Sequence, residues 1–266
     1  MRFSHKKKKV TDYQYYCFDL DGTVYVGNDK IEGAIEAIQS LEKSGKHVFY
    51  VSNNSSKSKF DYVTRLAKSG LTVKEKQVVL STDSTIRFLK QMNVSKVYVL
   101  GTKSLKKMIL DAGIDICSYN PEFVVIGYDT ELAYSKLIDA CRLINAGTDF
   151  IATHCDPVCP SEFGPIPDIG LLTDMIEKTT GRKAYQVFGK PNPDVIDTLI
   201  EEYSINKSDI VMIGDRLYTD IEMANNAEID SILVLSGDTN REEVEKEPNS
   251  ATYVLKDISR ICVINS

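Results

Sequence analysis

The chain has 266 residues, 42% of them hydrophobic, which is enough to bury a substantial core in one large domain or two smaller ones and too much for a disordered or fibrous chain. With 32 basic against 38 acidic residues the net charge is −6, so no global positive field exists to gather nucleic acid or anionic lipid, and a small-molecule partner is expected. No uninterrupted apolar stretch reaches the ~18 residues of a membrane span, and six cysteines without a CxxC pair suit reduced thiols in the cytoplasm.

The single concentrated basic run, Lys6-Lys7-Lys8-Lys9, is followed by Val10-Thr11-Asp12-Tyr13-Gln14 rather than by the apolar stretch of a secretory signal, so residues 1–12 are expected to be a solvated, mobile tail. Residues 15–18 then read as a strand, Ile35, Ile38 and Leu41 recur at helical spacing before a stop at Gly45, and 48–51 reads as a second strand, completing a βαβ unit. Further strands are predicted at 97–100, 123–126, 150–152, 210–213 and 232–235, with amphipathic helices at 132–144 and 195–203. This alternation is the pattern of an α/β fold with a mainly parallel sheet covered by helices on both faces.

In such sheets ligands bind beyond the carboxyl ends of the strands, so the residues after each apolar run are the informative ones. Asp19-Leu20-Asp21-Gly22-Thr23 follows the first strand and Ser52-Asn53-Asn54-Ser55 the second. Gly189-Lys190-Pro191-Asn192-Pro193 follows Val187-Phe188 and opens a helix, and Gly214-Asp215-Arg216-Leu217-Tyr218-Thr219-Asp220 follows 210–213. Each piece has a bland alternative: Asp-Gly-Thr is a common turn, Ser52 and Ser55 suit a helix cap, and Lys190 suits a surface. Their joint order and placement favour a functional reading.

Together these residues resemble the haloacid dehalogenase superfamily, whose signatures are a DxDGT loop, a Ser or Thr after the second strand, a distant Lys, and a Gly-Asp pair followed by a further acid. The closer likeness is to its subclass IIA phosphatases of the NagD, 4-nitrophenyl phosphate and phosphoglycolate type. Residues 49–55, 188–193 and 214–221 carry it, with Cys159-Pro160-Ser161-Glu162-Phe163 and Thr180-Gly181-Arg182-Lys183. The resemblance implies a Rossmann-like core, 13–81 with 185–266, and an inserted α/β cap at 82–184. It implies Asp19 as nucleophile and Asp21 as general acid and base, with Ser52, Asn53 and Lys190 binding phosphate. The implied magnesium ligands are the Asp19 and Asp215 side chains and the Asp21 main-chain carbonyl, with Asp220 behind them positioning Lys190 or a metal-bound water. Asn54, Thr153, His154 and Asp156 are the expected specificity residues, and a homodimer through the cap is expected.

The chemistry agrees with that assignment. Carboxylates of Asp19, Asp21 and Asp215 in one crevice would repel by about 4 kcal/mol per pair at ~4 Å and an effective dielectric near 20, so a cation is required, and magnesium prefers such oxygen ligands. A phosphate ester expels a poor alkoxide unless a proton is supplied, which gives Asp21 a purpose that dehalogenation would not. The interval from Asp21 to Ser52 has no room for the helical cap of the superfamily's sugar-phosphate mutases, which favours a hydrolase. A phospho-signalling receiver would be about half as long and would not need Asp21; a catalytically idle phosphate-binding protein would not need the whole set.

Two departures from relatives stand out. His154 occupies the asparagine of a Thr-Asn-x-Asp run, and Tyr218 occupies the usual Asp of Gly-Asp-Arg-Leu-Asp-Thr-Asp. His154, Cys155 and Cys159 also cluster in sequence, but their spacing fits no common zinc site. Candidate substrates are phosphoglycolate, glycerol phosphate, pyridoxal phosphate, nucleoside monophosphates and sugar phosphates.

Overall fold

A computed structural model describes residues 8–263 apart from 28, 160, 162 and 249. Lys6 and Lys7 of the basic run, and Pro160 and Glu162 of the 159–163 motif, therefore lie outside the described residues. Strands Tyr15–Phe18, His47–Ser52 and Val78–Leu80 pair in parallel on one side, and Ile210–Gly214, Asp230–Val234 and Tyr253–Leu255 extend the same sheet on the other. The central strands are continuous apolar runs because both faces are covered. Tyr16, Phe18, Val211 and Ile213 face one core, while Cys17, Ile210 and Met212 face the other, as the period of two requires. Helix Ala34–Lys43 places Ile35, Ile38 and Leu41 on the first core, and helix Asp194–Tyr203 places Val195, Ile196 and Leu199 on the second.

The chain runs outward from the Tyr15–Phe18 strand in one direction and later returns on its other flank. The crevice above that strand is thus a topological switch point, the position where open α/β sheets bind ligands. A second, five-stranded parallel sheet, ordered Gln186–Val187, Asp149–Ala152, Phe123–Ile126, Lys96–Leu100, Asp115–Ile116, forms the inserted cap with its own helices. Helices Tyr134–Asn145 and Ile169–Thr180 bury Leu143, Ile144, Ile169 and Ile176 against one face of this sheet.

Two expectations shift. The strand Gln186–Val187 pairs with Asp149–Ala152, and Phe188 packs in the same cluster as Leu89 and Val125, so the chain leaves the second sheet a few residues later than 184. Residues 8–12 are not loose. Val10 is buried, its carbonyl accepts the Tyr16 hydroxyl at 3.0 Å, and Lys8 pairs with Asp209 at 3.6 Å with its ammonium over the Tyr13 ring. A single apolar residue inside a polar segment anchors it, which a composition argument overlooks. Among the described residues no helix is long and apolar enough to cross a membrane.

Candidate active site

Asp19 is the first residue beyond its strand, and its amide donates to the Ile213 carbonyl at 2.8 Å, so sheet pairing continues to the carboxylate. The following turn folds back tightly, with the Gly22 amide donating to the Tyr25 carbonyl at 2.7 Å. Gly22 has φ +93°, and a Cβ there would stand 2.1 Å from Asp215 Oδ2, so only glycine lets the turn pass beside that carboxylate. Asp215, from the adjacent strand end, accepts the Asp238 amide at 2.7 Å and the Thr23 hydroxyl at 3.4 Å.

Lys190 arrives from the far end of the chain and lies buried between two carboxylates, ion-paired to Asp19 and bonded to Asp220 Oδ1 at 2.7 Å. The other Asp220 oxygen accepts the Arg216 amide at 3.2 Å, which fixes its orientation. Burial opposes the lysine's charge, and the Asp19 and Asp220 carboxylates overcome it, so its pKa rises. Burial pushes the Asp19 carboxyl well above the usual carboxylate range against the pull of Lys190, with Asp220 and Asp215 adding to the rise. Asp215 is pushed up to about 6, first by burial and then by Asp220.

Asp19, Asp215 and Asp220 each offer an oxygen within 4.8 Å of the others, and one ammonium does not balance three carboxylates. An all-oxygen, acidic, buried donor set of this kind fits a hard divalent cation. Asp220 is part of this cluster, and the Asp21 side chain is not. Asp21 instead turns outward, its Oδ1 3.5 Å from Arg65 Nη2, and its side chain is 49% exposed.

In the loop after His47–Ser52 both hydrogens of the Asn53 side-chain amide are engaged: Nδ2 donates to Asp156 Oδ2 at 2.9 Å and to the Lys190 carbonyl at 3.0 Å, while Oδ1 accepts the Lys190 amide at 2.8 Å. Its side chain therefore positions Lys190 and has no donor left for phosphate. Ser52 Oγ lies 3.0 Å from the Tyr62 hydroxyl and accepts the Asn54 amide at 3.3 Å, and Asn54 Oδ1 shapes the turn by accepting the Ser56 amide and hydroxyl.

From the cap, Asp156, His154 and Asp168 line the same cavity as Asp19, Asp21, Ser52, Asn54, Lys190 and Arg216. His154 is 1% exposed, with Nε2 3.1 Å from Asp168 Oδ1 and Nδ1 3.2 Å from the Thr153 hydroxyl. Both ring nitrogens are thus engaged within the protein. His154 groups with Asp156 and Asp168, whereas Cys155 Sγ points to the Lys190 carbonyl at 3.7 Å. Tyr218 is half-exposed and its hydroxyl donates to Asp238 at 2.9 Å, away from the carboxylate cluster. Sequence reasoning missed Tyr62, Arg65 and Asp168, which sit in no motif and reach the site only through folding.

The profile of the haloacid dehalogenase-like hydrolases matches residues 16–115, and a HAD-like hydrolase profile matches 187–261. An acid sugar phosphatase of Staphylococcus haemolyticus is 34% identical over 252 residues, which is 94% of this chain and 95% of that protein. The structure of a 4-nitrophenylphosphatase from Thermotoga maritima superposes with a TM-score of 0.90 at 39% identity, covering 94% of this chain and 96% of the other. A glycerol phosphate phosphatase of Mycobacterium tuberculosis in complex with magnesium superposes with a TM-score of 0.88 at 27% identity, covering 96% of this chain and 78% of the other.

Proposed function

The chain belongs to the haloacid dehalogenase-like hydrolases and is a phosphoric monoester hydrolase, and from that premise we propose that it cleaves small phosphate monoesters through an aspartyl phosphate on Asp19. The observation that carries this reading is the placement of Lys190 between Asp19 and Asp220, at the switch point of the sheet and beside Asp215. Lys190 draws the Asp19 carboxyl toward its ionised form, against the burial that favours the protonated one, and leaves its other oxygen available for in-line attack on phosphorus. Asp21, on the open side of the loop, gives its proton to the departing alcohol and then takes one from the water that cleaves the acyl phosphate. Ser52 and the backbone amides of its loop receive the phosphoryl oxygens. Asp19 and Asp215, with the Asp21 carbonyl, would hold a magnesium ion, and Asp220 orients Lys190. Bound there, the ion would neutralise the carboxylates and draw charge from the phosphoryl oxygens.

Asp156 and Asn54 line the leaving-group side of the cavity and are the specificity residues of this reading. Tyr134, Ile138, Leu171 and Met175, exposed on the two cap helices, support a homodimer through the cap, and the absence of disulfides among the described cysteines suits a cytoplasmic enzyme. Asp19→Asn is expected to abolish phosphate release from 4-nitrophenyl phosphate with magnesium while leaving the circular dichroism spectrum unchanged; substantial residual turnover in that folded variant would rule out the assigned nucleophile.

A further inference from the structure

The loop from Leu20 to Gly27 carries the general acid, and something outside the loop holds it. Helix Lys59–Lys68 crosses beside it, and Arg65, in no signature, meets the loop at three places. Its guanidinium lies 3.7 Å over the ring of Tyr25, its Nη2 donates to the Gly27 carbonyl at 2.5 Å, and the same nitrogen stands 3.5 Å from Asp21 Oδ1. Tyr25 is buried in the core, so the ring is a fixed surface, and stacking plus the carbonyl bond leave the guanidinium little freedom. Asp21 has few other restraints; with a half-exposed side chain, it would otherwise sample several rotamers.

From this geometry we infer that Arg65 is a positioning residue for the general acid, holding the Asp21 carboxyl over the bridging oxygen of the ester. The inference rests on the reading of Asp21 given above. In the step concerned, the Asp19 oxygen–phosphorus bond forms as the phosphorus–oxygen bond to the leaving group breaks, and the Asp21 proton passes to that leaving oxygen. Arg65 itself neither gives nor takes a proton.

Leaving groups separate this role from a structural one. An alkyl phosphate such as glycerol phosphate needs the proton, whereas 4-nitrophenolate departs without it. The ratio kcat/KM reports steps only through release of the leaving group and is blind to the later hydrolysis of the acyl phosphate. Arg65→Gln is therefore expected to lower kcat/KM for glycerol phosphate by about ten-fold, part of the ~10²–10⁴ available from general acid catalysis, and to change that for 4-nitrophenyl phosphate by less than about two-fold. Arg65→Lys, which keeps the charge without the planar stack, should fall between. Equal losses on both substrates, or no loss on either, would overturn the inference; should Arg65→Gln not fold, Arg65→Lys alone decides by the same ratio. Asp21→Asn serves as the control. If it loses glycerol phosphate turnover while the Arg65 variants keep theirs, the inference about Arg65 fails and the mechanism stands; if Asp21→Asn keeps that turnover, the mechanism itself is wrong.

Discussion

Lys190, Asp19, Asp220 and Asp215 form a chain of charge in which each member makes sense only through the next. Burial raises the proton affinity of Asp19 and Asp215, and the neighbouring carboxylates raise it further. The pH consequence follows in sign. The Asp215 carboxyl sits at about 6 in the fold against about 3.9 in an unfolded chain. Between those values the cation-free folded state retains a proton that the unfolded state has released, so stability falls as pH rises through the window. A divalent cation needs the ionised carboxylates, so it restores more where more of them are ionised. The rise in Tm on adding magnesium is expected to be larger at about pH 7.5 than at about pH 5; calorimetry giving the same rise at both would remove Asp215 from the metal site.

Helix Lys59–Lys68 brings Tyr62 to Ser52 and Arg65 to Asp21 from successive turns of one face. Its start is set by a reciprocal cap, in which Ser58 Oγ accepts the Asp61 amide at 3.3 Å and Asp61 Oδ2 accepts the Ser58 amide at 2.8 Å. Ser58→Ala is expected to cost about 1 kcal/mol, read as a lower urea midpoint at unchanged m-value, with activity lowered less than by Arg65→Gln. An unchanged midpoint would mean that packing of Tyr62 and Leu66 alone holds the helix. This helix was absent from the elements predicted from sequence, as were the strands Val78–Leu80 and Tyr253–Leu255. Short edge strands carry too little periodicity to stand out, and the apolar residues of the helix do not all mark its core face, Phe60 being exposed while Tyr62 and Leu66 are buried.

Across the whole molecule, the core and cap meet at the loop after His47–Ser52. Ser55 Oγ accepts the Tyr128 amide and the Thr153 hydroxyl, Thr102 donates to the Ser56 carbonyl at 2.9 Å, and Asn53 ties Asp156 to the Lys190 backbone. This loop and the cap are thus tied together by hydrogen bonds at several points. Asn53→Asp would set a carboxylate against Asp156 and against the Lys190 carbonyl; kcat/KM is expected to fall at least ten-fold on every substrate, with Asn53→Ala milder. Wild-type kinetics in Asn53→Asp would show that the cap keeps its place without this bridge.

Sequence alone determined the parallel α/β fold and the strand ends bearing Asp19, Ser52 and Asp215, because a strand buried on both faces is written as an unbroken apolar run and ligands bind beyond its carboxyl end. Tertiary structure decided what each side chain does there. It directs the Asn53 amide to Lys190, sets Asp220 among the carboxylates, closes the His154 ring between Thr153 and Asp168, and brings Arg65 to Asp21. Those pairings join residues far apart in the chain, and hydrogen-bond partners are allotted by three-dimensional proximity, which no local pattern of residues records.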